Sequence, residues 1–347
     1  MAQLSRNLSA TAQNIIQNLV QNEFLIYVLK RLGRTVLVLF FVALLSFLML
    51  KLSPGDCLGQ LLEQSNTPKQ TVEKLRQFLN YDKPILQQFF LWLGNALQGN
   101  LGVRCQGFAP VAPLIIERAG NTLLLSLASF FTTWLIAIPL GIYCAVKQNK
   151  WSDRLIQLVS YTTQGFPSFV LAILLLMVAQ NTKWFPIGGM TSIYYADLSP
   201  VGQWLDIAHH LFLPTLVLTL IGFAGLQRIM RGNLLEVLRQ DYIKTARAKG
   251  LSENKVIYVH ALRNAINPLI TLLGFEIASL LSGAFITEYF FNWPGLGKLL
   301  LDATLAKDVN LVMAGLSLGT VMLVLGNFIA DILLKLVDPR IELSQQD

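Results

Sequence analysis

Charge is what this chain of 347 residues lacks most: 14% of it is Asp, Glu, Lys or Arg, against 54% apolar residues. A soluble domain carries about 25% charged residues, so the composition excludes one and points to a membrane protein. Histidine and cysteine are scarce, at three each. Cys57, Cys105 and Cys144 have no metal-ligand spacing, and the adjacent His209 and His210 have no cysteine or carboxylate cluster to join them, so no metal is expected. Catalytic motifs are missing as well. Gly295-Leu296-Gly297-Lys298 is no phosphate loop, because Asn292 stands where that motif needs glycine, and there is no Gly-x-Ser-x-Gly elbow. The chain is therefore expected to be no enzyme, to carry no cofactor and to hydrolyse no ATP itself. A net charge of +7 would fit nucleic acid in a soluble chain, but here the basic residues flank apolar runs, so no nucleic-acid partner is expected.

What is present is a series of apolar runs long enough to cross a bilayer, at about 35–52, 121–146, 155–180, 211–227, 269–291 and 311–334. The segments 1–34, 147–154, 228–267 and 335–347 together hold 17 Lys and Arg, against 9 in the longer remaining loops. Cytoplasmic loops carry that excess, so the expectation is an all-α integral membrane protein with six transmembrane helices and both termini cytoplasmic. Ile15, Ile16, Leu19, Val20, Phe24 and Tyr27 recur amphipathically, which predicts a helix lying on the cytoplasmic surface within 1–34. The first apolar run, flanked by Lys30, Arg31 and Arg34 with no small-residue cleavage site after it, is expected to be an uncleaved span. Ser53-Pro54-Gly55-Asp56 closes it, and a large outer insert reaches residue 118, so 35–118 is span plus insert, 119–337 the core and 338–347 a cytoplasmic tail. Cys57 and Cys105 share that insert, where a disulfide between them is the alternative to the preferred expectation that they stay unpaired.

The segment 228–267 concentrates eight Lys or Arg. Leu234, Leu235, Leu238, Tyr242 and Ala246 recur at helical spacing up to Gly250, which suits a left-handed C-cap. Ser252 is placed to cap a second helix, which must end before Pro268. Helix, glycine turn and helix make an elbow in the cytoplasm.

The wording Asp241-Tyr242-Ile243-Lys244-Thr245-Ala246-Arg247-Ala248-Lys249-Gly250-Leu251-Ser252, followed by His260-Ala261-Leu262-Arg263-Asn264-Ala265, resembles the cytoplasmic loop of ABC-importer permeases of the peptide/nickel class. Of that family's broader loop pattern only Ala246, Gly250 and Leu262 are kept. Trp92-Leu93-Gly94-Asn95, Gly99-Asn100-Leu101-Gly102, Asn292-Trp293-Pro294-Gly295-Leu296-Gly297-Lys298 and Asp338-Pro339-Arg340-Ile341 are similar to phrases of the same branch. The resemblance implies a type I ABC importer permease fold with a large first extracytoplasmic loop, in a bacterial cytoplasmic membrane. It implies a second homologous permease subunit, two cytoplasmic ATP-binding subunits and an extracytoplasmic solute-binding protein as partners. It also implies that Thr245–Leu251 is a coupling helix, with Tyr242, Ala246 and Leu251 giving apolar contact to an ATPase, Ala246 and Gly250 close approach, and Arg247 and Lys249 steering.

Glu276, near mid-depth of the fifth run, is read either as a translocation-path residue facing a cationic substrate group or as a hydrogen-bonded packing residue. Glu288, nearer the outer end, is placed on the translocation path with Glu276 and read as a gate, an outer-loop hydrogen bond or a snorkelling side chain. Gly315 with Gly319, and Ser279 with Gly283, are small-residue pairs expected to let helices approach closely. The function so read is half of a path for peptides or a related solute, with nickel among the options, opened and closed by partner ATPases. The alternative is a secondary transporter or channel working without an ATPase, for which Glu276 is the only intramembrane support.

Overall fold

The computed structural model describes residues 33–59, 69–280 and 284–337. The surface helix expected within 1–34 and the tail 338–347 lie outside the described residues, apart from the start of the first span. Almost everything described is helical, with one isolated bridge between Val103 and Pro110.

Helix α1 (Gly33–Leu52) exposes Val36, Leu37 and Met49 along its flank, as a lipid-facing helix does. The outer insert supplies α2 (Lys69–Phe78) and α3 (Ile85–Leu97). Phe89 and Trp92 of α3 pack with Phe47 of α1 and with Met313, so the insert sits on the ends of the first and last spans. Cys57 and Cys105 form a disulfide within it, correcting the unpaired expectation. They lie 48 residues apart, and only the folding of the insert brings their Cα atoms to 6.3 Å. A disulfide belongs outside the reducing cytoplasm, in agreement with an outer insert.

Two long helices form the middle of the molecule. Helix α4 (Val111–Val146) has 36 residues and spans about 54 Å, and α7 (Pro200–Leu238) has 39 and spans about 58 Å. Both exceed the roughly 30 Å hydrocarbon layer, so each projects beyond it. Helix α4 starts at Val111, not near Asn121 as hydropathy alone suggested, because polar turns such as Glu117-Arg118 continue the helix outside the lipid. Gly141 lets α4 and α7 meet: a Cβ there would sit 2.8 Å from the Gln227 carbonyl oxygen.

Between them the expected straight span 155–180 is broken. Helices α5 (Trp151–Gly165) and α6 (Ser168–Thr182) meet at 104° across Phe166 and Pro167. Proline lacks the backbone donor and disfavours helix in the residue before it, and Phe166 is accordingly extended, at ψ 129°.

After α7 come α8 (Asp241–Ala248) and α9, which covers 253–265 with a π-helical turn at Val256–Ala261. Next are α10 (Asn267–Ser279), the short α11 (Phe285–Phe290), α12 (Leu296–Leu305) and α13 (Val309–Val337). Among the described residues four single helices are long and apolar enough to cross a membrane, and the bent pair makes up to five. The run 269–291 is divided between α10 and α11, with 281–283 outside the described residues. Gly315 takes Leu300 of α12 at close quarters, a Cβ there falling 2.3 Å from its Cδ2, so its small size serves a short outer helix. Around Gly319 the space is open.

Candidate functional site

The elbow is built in three steps. Helix α7 ends at Leu238, and Arg239 and Gln240 turn the chain before α8 begins; the apolar repeat from Leu234 to Ala246 is therefore two helices, where periodicity alone read one. Helix α8 then closes in a left-handed cap, in which Leu251 N–H donates to the Ala246 carbonyl at 3.4 Å and Gly250 N–H to that of Arg247 at 2.9 Å. These are the two bonds of a Schellman motif, and Gly250 supplies the required φ of +77°. Ser252 stands at the next N-cap position, but its side chain makes no capping bond.

The two faces of α8 differ. Ile243 and Ala246 are buried in a core shared with Ile142 and Ala145 of α4 and Met230 and Leu234 of α7. Leu251 packs against the same core, as the residue after a Schellman glycine commonly does. Ala246 therefore serves the chain's own packing and is not offered outward. Tyr242, Thr245, Arg247, Lys249 and Gly250 are exposed. The Tyr242 hydroxyl accepts from Asn264 Nδ2 at 2.7 Å, and Arg247 pairs with Glu253 at 2.8 Å, so two outward side chains are held against α9. Lys244 donates to Asp241 at 2.8 Å and holds its carboxyl below the usual carboxylate range. Near the root of the elbow, Arg231 of α7 grips Asp153 of α5 with two bonds of 2.8 Å, and Asn149 N–H donates to the same carboxylate. Sequence reasoning missed this pair, because 78 positions separate its members and each reads as a loop charge.

Glu288 is fully buried and does not snorkel. Its Oε1 accepts from the Thr122 hydroxyl at 2.6 Å and its Oε2 from Lys298 N–H at 3.0 Å, so the carboxylate caps the start of α12. Leu296 N–H donates to Thr122 Oγ1 at 2.8 Å, and the Trp293 indole N–H to the Asn121 carbonyl at 3.0 Å. The Trp-Pro-Gly-Leu-Gly phrase is thus a clamp fastening the outer turn to α4. Gly295 is obligatory there, since a Cβ would sit 2.2 Å from the Glu288 carboxyl carbon. Of the readings offered for Glu288, the outer-loop hydrogen bond is the one its geometry fits.

Glu276 lies elsewhere, on α10, and lines a cavity of about 450 Å³ with Ser126, Ser129 and Thr133 of α4 and Gly222 of α7. Its Oε2 accepts from the Trp134 indole N–H. Ser126, Ser129 and Thr133 are one helical stripe of hydroxyls inside an apolar run, a pattern visible in the sequence once the face is known. The two expected carboxylates are thus not brought together: Glu276 lines the cavity and Glu288 fastens a loop.

With this geometry in view, comparison with known proteins is informative. The family described as "Binding-protein-dependent transport system inner membrane component" matches residues 137–343, and its N-terminal companion matches 24–126. The chain is 39% identical to the oligopeptide transport system permease protein AppB of Bacillus subtilis (strain 168) over 91% of its length and 99% of that protein. It is 36% identical to the di/tripeptide transport system permease protein DppB of Pseudomonas aeruginosa (strain UCBPP-PA14), over 91% and 98% respectively. A chain from an inward-facing structure of the MetNI methionine ABC transporter superposes with a TM-score of 0.52 at 15% identity, covering 65% of this chain and 97% of that one, which establishes the shared fold. The protein belongs to the binding-protein-dependent inner membrane component family: it is a multi-pass, all-α permease of an ATP-driven ABC importer.

Proposed function

We propose that this permease forms half of a translocation path for peptides or a related small solute. In this reading it has six spans with both ends cytoplasmic in a bacterial inner membrane. It pairs with a second, similar permease, receives solute from an extracytoplasmic binding protein and takes its drive from two ATPase subunits. The observation that carries this is the elbow: α8 turns Tyr242, Thr245, Arg247 and Lys249 outward while Ile243 and Ala246 lock it into the core of α4 and α7. Packed interiors are close to incompressible, so a push on the outer face is transmitted to the spans as a rigid movement. The named relatives are permeases for oligopeptides and for di- and tripeptides, and they direct the choice of solute. The mid-span cavity offers hydroxyls and one carboxylate, groups able to meet an amide backbone and its terminal ammonium.

The test separates docking from folding. Thr245→Trp enlarges the outward face without touching the core, and should weaken ATPase co-purification by about tenfold or more, with loss of ATP-driven uptake in proteoliposomes. Unchanged uptake with Thr245→Trp would place the coupling contact elsewhere. Ala246→Glu serves as the contrast: it forces a charge into the shared core and should unseat the elbow itself.

A further inference from the structure

At the outer ends of α4 and α13 the chain encloses a second, smaller cavity of about 180 Å³ that the transport reading does not use. Arg104 from the insert, Arg118 from α4 and Lys298 from α12 line it. Both arginines are half-buried. Their Nε atoms are shut off from solvent and have no hydrogen-bond partner, and among the described residues neither guanidinium has an ion pair. Shutting a guanidinium N–H away from water without a partner is costly, and a fold keeps such a group where something else completes it.

Two carboxylates, Asp302 and Asp308, line the cavity as well, which leaves the three cations one charge in excess, and among the described residues neither is ion-paired with an arginine. Asp308 accepts from Cys105 N–H at 2.7 Å and from Leu311 N–H at 3.2 Å, so its oxygens are engaged, and Arg104 acts on it only at longer range. Asp302 is about half exposed and stands 3.8 Å from Lys298. Glu288 feels Arg118 through space but bonds Thr122 and Lys298 N–H. A compact oxyanion with several acceptor atoms would satisfy both Nε groups, and the cavity has the volume for one such group.

We propose that this cavity binds a phosphate group, with Arg104 and Arg118 as its principal ligands and Lys298 as a third charge. Guanidinium forks match phosphate oxygens with two parallel bonds, which a lysine cannot do. The apolar runs of two spans begin beside it, near residues 121 and 311, and lipid headgroups gather at such span ends; Leu114, Leu299 and Leu311 add apolar lining beside the charges. An anionic phospholipid is therefore the source the geometry favours, and free inorganic phosphate is the other.

Native mass spectrometry of the purified transporter, stripped of lipid and then supplied with phosphatidylglycerol, tests this directly. Wild type should retain the lipid, and Arg104→Gln with Arg118→Gln should lose it by about tenfold or more, whereas Lys150→Gln at an exposed turn should not. A parallel melting curve in lipid-free detergent with inorganic phosphate identifies the source: stabilisation there means that the free ion suffices, and stabilisation by the lipid alone assigns the headgroup. Should the paired substitution fail to fold, the wild-type arms still decide. Binding of neither probe, equal retention by the arginine variant, or protection conferred only by the solute-binding protein would overturn the proposal, the last in favour of a protein carboxylate.

Discussion

Glu276 and Asp308 are both withdrawn from water and are put to opposite uses. Glu276 lines the mid-span cavity and accepts from the Trp134 indole N–H, and in the proposed transport reading it meets a substrate ammonium there. Glu276→Gln should lower uptake of a dipeptide with a free amino terminus by about tenfold and leave its N-acetylated form little changed, measured as accumulation in proteoliposomes. Equal loss for both would make it a packing residue. Asp308 instead fastens the insert to α13, and burial pushes its carboxyl above the usual carboxylate range, against the pull of Cys105 N–H, Leu311 N–H and Arg104. The folded state then holds the proton more tightly than the unfolded chain. Its contribution is most favourable below about pH 4 and is lost as pH rises through the raised value. Melting curves in detergent should show this slope in wild type and a flatter profile in Asp308→Asn.

At the scale of the element, helix ends matter more than helix bodies. Gly250 adopts φ +77° in open space, so Gly250→Ala meets no atom and suffers only the left-handed penalty of about 1 kcal/mol. Hydrogen exchange at Gly250 and Leu251 N–H should quicken about fivefold, with Gly250→Asn affected less, because asparagine tolerates that conformation. The helix, the stop at Gly250 and the end before Pro268 were legible from residue types whose backbone preferences are local. The breaks at Arg239-Gln240 and at Phe166 were not read from periodicity, although Pro167 was a visible signal for the second. Hydropathy measures how apolar a window is, and a bent pair of apolar helices scores like a straight one.

For the whole molecule, the insert is a small folded unit held by its own staple. Closing 48 residues with the Cys57–Cys105 bond removes about 4 kcal/mol of unfolded-chain freedom in the loop-entropy picture. Cys57→Ser should therefore expose the insert to outside protease at temperatures where wild type resists, while α4 and α7, which share no residue with the disulfide's core, keep their packing. Cleavage rates matching wild type would show that Phe89 and Trp92 against Phe47 suffice to hold it.

The sequence by itself determined the membrane class, the apolar runs, the charge bias and the glycine-capped elbow, because composition, hydropathy and backbone preference act within a few residues. Tertiary structure alone decided which side chains meet. It turned Ala246 inward and Thr245 outward, paired Asp153 with Arg231 and Cys57 with Cys105, made Glu288 a fastening and gathered Arg104, Arg118 and Lys298 around one cavity. Each of these depends on contacts between groups tens to hundreds of positions apart, and only packing sets those distances.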